Sequence, residues 1–328
     1  MAIYETGIDV SRYQGEVNWQ AVAAAGKQFA LVRIGSSSSG GVYIDPYFQR
    51  NIAGAKAAGM KVGAYYYTYA RTEEAVINEV SAFLAVLEGL RLEYPVFVDV
   101  EDNSLKTLPR AELTRLVKFA MDILDQKGWL PGFYTYTSFA NTNLDTGALA
   151  AYPFWVADYR GYVGFQGSYD LWQYSSTGRV NGIGGNVDLD YSYKNFLPLL
   201  IETGKNGYGK GPNLVPVAGK ELAVKSAQAL YYYSPDLNDL AGYLPLGSYP
   251  VTAMSDGEYL GYTWVTFTYG DSEFWATLRQ GVTELQDAPK PEDCEEVRLE
   301  LAAAQAKIST ARQALEWVLE ELEAGQGG

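Results

Sequence analysis

The sequence predicts an α/β barrel, followed by a small all-β module and a C-terminal helix. Three observations carry this reading. Residues 6–197 alternate short apolar runs with segments of helical apolar spacing. From about 222 to 287, short β-type runs rich in aromatics are punctuated by turns. After the stretch APKPED the composition shifts to Glu, Ala and Leu.

In the first region TGIDVS, FALVRIG, KVGAYYYTYA, YPVFVDVED and LPGFYTYTS read as strands, being rich in β-branched and aromatic residues. Between them lie VNWQAVAAAG, PYFQRNIAGAKAAG, TEEAVINEVSAFLAVLEGL and PRAELTRLVKFAMDILDQKG, several ending in the glycine expected at a helix C-terminus. Strand–helix repetition implies right-handed βαβ units and a parallel sheet. PFWVADY, SYDLWQYSS and NVDLDYS then follow with too little sequence between them for full crossover helices. Five β/α units and three closing strands make eight, the number that closes a barrel. A doubly wound open sheet would show the same periodicity and stays open as an alternative.

This gives a barrel over residues 1–201 and a Gly-, Pro- and Lys-rich linker over 202–221. The β module follows over 222–288 and a helical tail over 289–328. In the tail, Val297, Leu301, Ala304, Ile308, Ala311, Leu315, Val318 and Leu322 step by fours and threes, the spacing of a coiled-coil seam. The expected consequence is a homo-oligomer assembled through residues 292–323.

Composition narrows the chemistry. The 328 residues include no histidine, which excludes a Ser-His-Asp triad, a Cys-His nucleophile and a histidine zinc motif. Catalysis falls to carboxylates, Tyr, Lys or a cofactor, and no cofactor or metal motif is read. A formal charge of −14 gives nucleic acid no electrostatic footprint. The same charge repels anionic membranes and wall polymers, so affinity for either needs specific short-range contacts. The single cysteine, Cys294, allows no intrachain disulfide. No apolar run approaches the roughly 18 residues of a membrane span, so no membrane insertion is expected. The N-terminus MAIYETGIDV lacks a basic leader segment and carries Glu5 and Asp9, so no signal peptide is expected.

The fourth strand is the informative one. In PVFVDVED, Val96, Val98 and Val100 share one face, and Phe97, Asp99 and Glu101 the other. A parallel strand is normally apolar on both faces, and two acids near its C-terminal end break that rule. Their Cα atoms should lie about 6.5–7 Å apart. Asp9 sits similarly in the first strand, and Asp188 and Asp190 share a face in the last, where Asp190 reads as a turn or loop residue. Barrel closure would bring these strand ends to one rim, where clustered acids raise one another's pKa. Tyr65, Tyr66, Tyr67, Tyr134, Tyr136, Trp155, Tyr159, Trp172 and Tyr174 accompany them, and carboxylates with aromatic faces suit glycoside hydrolysis.

Residues 6–197 resemble the glycoside hydrolase family 25 muramidases. The resemblance rests on GIDVSRYQG, FALVRIG, DPYFQRNIAGAKAAGMKVGAYYY, FVDVED, GFYTY, FWVADY, LWQYSSTG and NVDLD in that order. It implies a (β/α)5(β)3 barrel that cleaves the β-1,4 bond between N-acetylmuramic acid and N-acetylglucosamine in peptidoglycan, without a cofactor. It also implies Glu101 as proton donor, Asp99 beside it, and Asp9 and Asp188 as the other acids of the site. Tyr65 and Trp172 match its aromatic walls, and Tyr67, Tyr134, Trp155 and Gln173 are the further expected substrate contacts. Many relatives carry histidine where this chain has Tyr66, which reads as pocket tuning. The 222–288 module more loosely resembles bacterial Src-homology-3-like wall-binding domains. Together these readings describe a phage-type lysin made in the cytoplasm and released to the wall through a holin. The competing readings are a non-catalytic wall-binding protein on a degenerate barrel and a hydrolase of another polysaccharide such as chitin. Retention of all four acids argues against the first.

Overall fold

The structure, a computed structural model, describes residues 2–38, 41–209, 211–237 and 239–289. Cys294 and the expected oligomerisation seam lie outside these residues. The chain divides into two compact units after Gly211.

The first unit runs β1 (Glu5–Val10), α1 (Trp19–Ala24), β2 (Phe29–Ser38), β3 (Gly41–Ile44), α2 (Phe48–Ala57), β4 (Lys61–Tyr67) and α3 (Glu73–Leu87). It continues with β5 (Val96–Asp99), α4 (Arg110–Gln126), β6 (Pro131–Tyr136), α5 (Thr137–Asn143), β7 (Phe154–Ala157), β8 (Leu171–Gly178), β9 (Val187–Ser192) and α6 (Leu197–Thr203). Strands β1, β2, β4, β5, β6, β7 and β8 pair in parallel in that order. Strand β9 pairs antiparallel with both β8 and β1 and closes the barrel, which rules out the open sheet. Residues 179–186 are too few for a crossover helix, so the last strand has to return antiparallel. Strand β3, which the sequence reading left out, extends β2 as an antiparallel arm beyond the barrel.

Alternation sorts the strand residues into two layers. Ile8, Val10, Val32, Val62, Val98 and Val156 pack outward against Val22, Ile52, Val80, Phe83, Val117 and Met121 of the helices. The inner face combines bulky residues with glycine. A methyl group on Gly7 would lie 2.5 Å from the Phe29 ring, and one on Gly132 would lie 2.6 Å from Phe97. These glycines leave room for the aromatic side chains that fill the interior. At the N-terminal ends of the strands, Phe29 stacks on Tyr94 with centroids 4.5 Å apart, and Phe196 meets Tyr94 edge-on at 5.5 Å. The Tyr94 hydroxyl donates to Glu5 at 2.6 Å, and Glu5 is neutralised by Lys61.

The expected linker over 202–221 is not one. Its first part belongs to the barrel: Asn206 is fully buried and its side-chain amide donates to the carbonyls of Tyr94 (2.8 Å) and Leu92 (3.3 Å). Its Oδ1 accepts from the Leu130 backbone N–H at 2.7 Å. The residue sits at φ 55°, a left-handed conformation that Asn tolerates better than most side chains. One amide thus satisfies the backbone entering both β5 and β6. Gly and Lys content suggested flexibility here, whereas three hydrogen bonds fix the segment.

The latter part of the expected linker is also structured, and the second unit begins earlier than residue 222. It comprises β10 (Leu214–Pro216), β11 (Lys220–Val224), β12 (Leu230–Tyr232), β13 (Leu240–Tyr243), β14 (Gly247–Ser255), β15 (Trp264–Tyr269), β16 (Ser272–Thr277) and β17 (Thr283–Asp287). The pairings are antiparallel, in the order β13-β12-β16-β15-β14-β11-β17, with β10 on β14. Among the described residues no pairing joins β13 to β17, so hydrogen bonds do not close this sheet into a ring. Leu222, Val224, Leu244, Val251, Val265 and Phe267 form its core.

Asn206→Gly keeps the left-handed backbone and deletes only the side-chain hydrogen bonds. Stranding the buried Leu130 N–H should destabilise the barrel by about 1–3 kcal/mol, read by urea unfolding. Unchanged stability would show that the 205–208 segment is not part of the fold.

Candidate active site

The C-terminal ends of the barrel strands surround a cavity of about 610 Å³. Asp9, Asp99, Glu101 and Asp188 all line it, together with Tyr65, Tyr67, Tyr134, Trp155 and Gln173. Each acid is placed by its strand. Asp9 on β1 lies directly opposite Asp188 on β9, and Asp99 ends β5 between Tyr67 of β4 and Tyr134 of β6. Glu101 lies just past the end of β5, where the chain is freed from the sheet and is less buried than Asp99.

A hydrogen-bond chain orients the acids. Gln173 donates to Asp9 at 2.6 Å and Tyr65 to its other oxygen at 3.3 Å. The Gln173 carbonyl in turn accepts from Tyr134 (2.8 Å) and Tyr159 (2.6 Å). Trp155 forms the floor: its ring packs on Tyr134, Phe97 and Tyr65, and its indole N–H donates to Asp190 at 2.9 Å.

Burial pushes the Asp9 carboxyl well above its usual range, and Asp188 and Asp190 add to the push by repulsion. Asp99 is raised by burial and then by Glu101, with Arg33 opposing. Glu101 is raised by burial first, then by Asp188 and Asp102. Asp188 is pushed up to about 6, chiefly by burial. These carboxyls cannot all be ionised together, so protons are retained at the cavity toward neutral pH, as general acid catalysis requires. One buried oxygen each of Asp99 and Asp190 has no hydrogen-bond partner among the described residues. Among the described residues, no group of three or more carboxylate, His or Cys side chains has the arrangement of a metal site.

Three sequence expectations need correction. Asp190 is no turn residue: it is fully buried within β9, opposite Gly7, and its inward position is read from the same alternation as Asp188. Trp172 does not line the cavity. It alternates with Gln173 on β8, packs beside Tyr174 and Tyr191, and donates to the Asp158 carbonyl at 2.8 Å. Tyr66 tunes no pocket either, because it points outward between Tyr65 and Tyr67 and stacks on Phe83 at 4.6 Å. The sequence reading also missed cavity residues Arg12, Tyr13, Arg33 and Tyr43, and did not assign Tyr159 to the site. Arg33 was findable, since a charge near the end of FALVRIG breaks the same apolar rule as Asp99.

A closed α/β barrel with clustered carboxyls and aromatic walls at its strand C-termini has the parts that glycoside hydrolysis uses. Residues 8–183 match the glycosyl hydrolases family 25, and the chain belongs to that family. It is 32% identical over 212 residues to the autolytic lysozyme of Clostridium acetobutylicum, a match covering 61% of this chain and 60% of that protein. The crystal structure of the bacterial lysozyme from Streptomyces coelicolor is similar over 60% of this chain and 95% of that one, with 28% identity and a TM-score of 0.50. The modular autolysin LytC of Streptococcus pneumoniae, solved with a synthetic peptidoglycan ligand, is similar over 58% of this chain and 46% of that one (26% identity, TM-score 0.52). The chain thus spans less than two thirds of the autolytic lysozyme and of LytC.

The rim carries one more buried acid. Glu79 of α3 accepts from Ser37 at the end of β2 and from Thr68 after β4, both at 2.6 Å, and Ser37 accepts from the backbone of Tyr69, a cavity residue. Burial pushes Glu79 up to about 7, with both hydroxyls opposing. A raised carboxyl stabilises the fold fully below its ordinary value of 4.5, and that contribution is lost as pH rises through about 7. Glu79→Gln should therefore gain in Tm relative to the native chain between pH 5 and pH 8. Parallel Tm profiles would remove Glu79 from the pH response.

Proposed function

We propose that this chain is an endolysin-like N-acetylmuramidase that cleaves the β-1,4 bond between N-acetylmuramic acid and N-acetylglucosamine in Gram-positive cell walls. The observation that carries this reading is the gathering of Asp9, Asp99, Glu101 and Asp188 with Tyr65, Tyr134 and Trp155 around one cavity. The family and the lysozyme and autolysin names of its relatives support it.

In this mechanism Glu101 donates its proton to the leaving glycosidic oxygen. Its raised pKa keeps that proton available, and its place beyond the strand end gives it access to the cavity. Asp99 stays beside it, its own carboxyl pushed up by burial and by the neighbouring Glu101. Asp9, fixed by Gln173 and Tyr65, faces Asp188 across the β1–β9 pairing, and Asp188, pushed up only to about 6, is the acid of the pair that offers charge to a developing oxocarbenium ion.

The second unit is proposed to be the wall-binding module, of Src-homology-3-like type. Tyr231, Tyr249, Tyr269 and Phe274 pack edge to face there, and Tyr233 and Tyr243 are exposed. Residues 292–323 are proposed, from the seam in the sequence, to join copies of the chain.

Glu101→Gln keeps the shape but removes the transferable proton. It should lower release of reducing ends from purified walls by about 10²–10⁴-fold while the protein stays folded. Near-native lysis by folded Glu101→Gln would overturn the assignment, and release of free amines would indicate an amidase or peptidase. A truncation series tests the other parts. Residues 1–211 should cleave soluble glycan but sediment less with intact walls than residues 1–288, and only the full chain should scatter light as an oligomer. Equal sedimentation, or a monomeric full chain, would refute the corresponding role.

A further inference from the structure

The site just described is acidic, in a chain of formal charge −14, yet the proposed substrate is itself anionic. The lactyl group of muramic acid ends in a carboxylate or, where a stem peptide is joined to it as an amide, the peptide carries carboxylates instead, so a purely acidic cavity would repel either form. Two arginines line the cavity. Arg33 is already neutralised: its Nε and Nη2 donate to the fully buried carboxylate of Asp45 at 2.9 and 2.8 Å. The Arg12 guanidinium, by contrast, meets neutral groups only among the described residues, the hydroxyls of Tyr43 (3.2 Å) and Tyr13 (3.5 Å).

The corner is held in place. The same Asp45 accepts from the Arg12 backbone N–H at 3.0 Å, and the Gln14 side chain accepts from the Ser11 N–H at 2.9 Å. Arg12 lies over the rings of Tyr13 and Tyr43 at 5.1 and 5.0 Å from their centroids. Hydrogen bonding from Arg12 holds the Tyr13 phenol below its usual range. The side chain is therefore exposed and charged, yet supported on two aromatic faces, which suits a planar guanidinium to bidentate carboxylate recognition. It stands on the β1–β3 side of the cavity, which Glu101 lines from just past the end of β5.

We propose that Arg12, supported by Tyr13 and Tyr43, is the specificity-determining contact that selects a carboxylate-bearing N-acetylated glycan over an uncharged one such as chitin. This rests on the muramidase reading and names the feature of the substrate that the site would recognise. The carboxylate comes either from the lactyl group or from the stem peptide, and the chemistry at Arg12 is the same.

The test uses the full chain carrying Glu101→Gln, so that glycans bind without turnover, with and without Arg12→Gln. Three probes are titrated by calorimetry: a peptide-free tetrasaccharide of alternating N-acetylglucosamine and N-acetylmuramic acid, the same glycan with stem peptides, and chitotetraose. Arg12→Gln should weaken a carboxylate-bearing probe about 3–10-fold at low salt, with a smaller loss at high salt, and leave chitotetraose unchanged. Loss on the peptide-free glycan assigns the lactyl carboxylate, and loss only on the peptide-bearing one assigns the stem peptide. Arg12→Lys keeps the charge and should recover part of the affinity. Equal change for all three probes, no change for any, or Arg12→Lys as weak as Arg12→Gln would overturn the proposal. Failure of the muramidase reading shows separately, as absence of new reducing ends when the native chain meets purified walls.

Discussion

Strand β9 hydrogen-bonds to β8 on one side and to β1 on the other, antiparallel to both. That double pairing sets Asp188 opposite Asp9 and Asp190 opposite Gly7, and it turns acids from separate ends of the chain into one cluster. Without it, β1 and β8 would be edges of an open sheet, and the carboxyls of β1 and β5 would lack their third partner. The closure also confines the acids: the ring has space for them only because glycines at Gly7, Gly63 and Gly132 admit Phe29, Leu31, Tyr94 and Phe97 below.

Confinement determines the electrostatics. Burial is the largest cause of the raised pKa at Asp9, Asp99, Glu101, Asp188 and Asp190, and mutual repulsion is secondary where it contributes. A site of this kind keeps protons near neutrality at a cost in stability, since each carboxyl would be easier to ionise in the unfolded chain. The protein offsets part of that cost with neutral donors, Gln173 and Tyr65 at Asp9 and Trp155 at Asp190. The ion pair of Arg33 with Asp45 is satisfied internally and sits beside the acids without neutralising them. Asp45 also fixes the turn that carries Arg12, so a single buried carboxylate organises the cationic side of an otherwise acidic cavity.

Much was legible in the sequence because a β-strand has a period of two. That rule alone placed Asp99 and Glu101 on one face, apart from Val96, Val98 and Val100, and the helical spacings marked α1 to α4 between the strands. The same rule, applied consistently, separates Trp172 from Gln173 and Tyr66 from Tyr65 and Tyr67, so each error over these aromatics came from favouring residue type over position. The linker reading failed for a different reason. Glycine and lysine content describes local freedom, and Asn206 is held by backbone groups at Leu92, Tyr94 and Leu130, far away in the chain.

The sequence by itself determined the alternation of elements, the faces on which the acids stand, and a chemistry restricted to carboxylates by the lack of histidine. Tertiary structure alone decided which of the two faces became the inside, and that Arg12 of the turn after β1 joins Arg33 of β2 and Tyr43 of β3 at the cavity. Periodicity is a local property of a few consecutive residues. Which strand ends meet is set by closure of the ring, through pairings between residues as distant in the chain as Asp9 and Asp188.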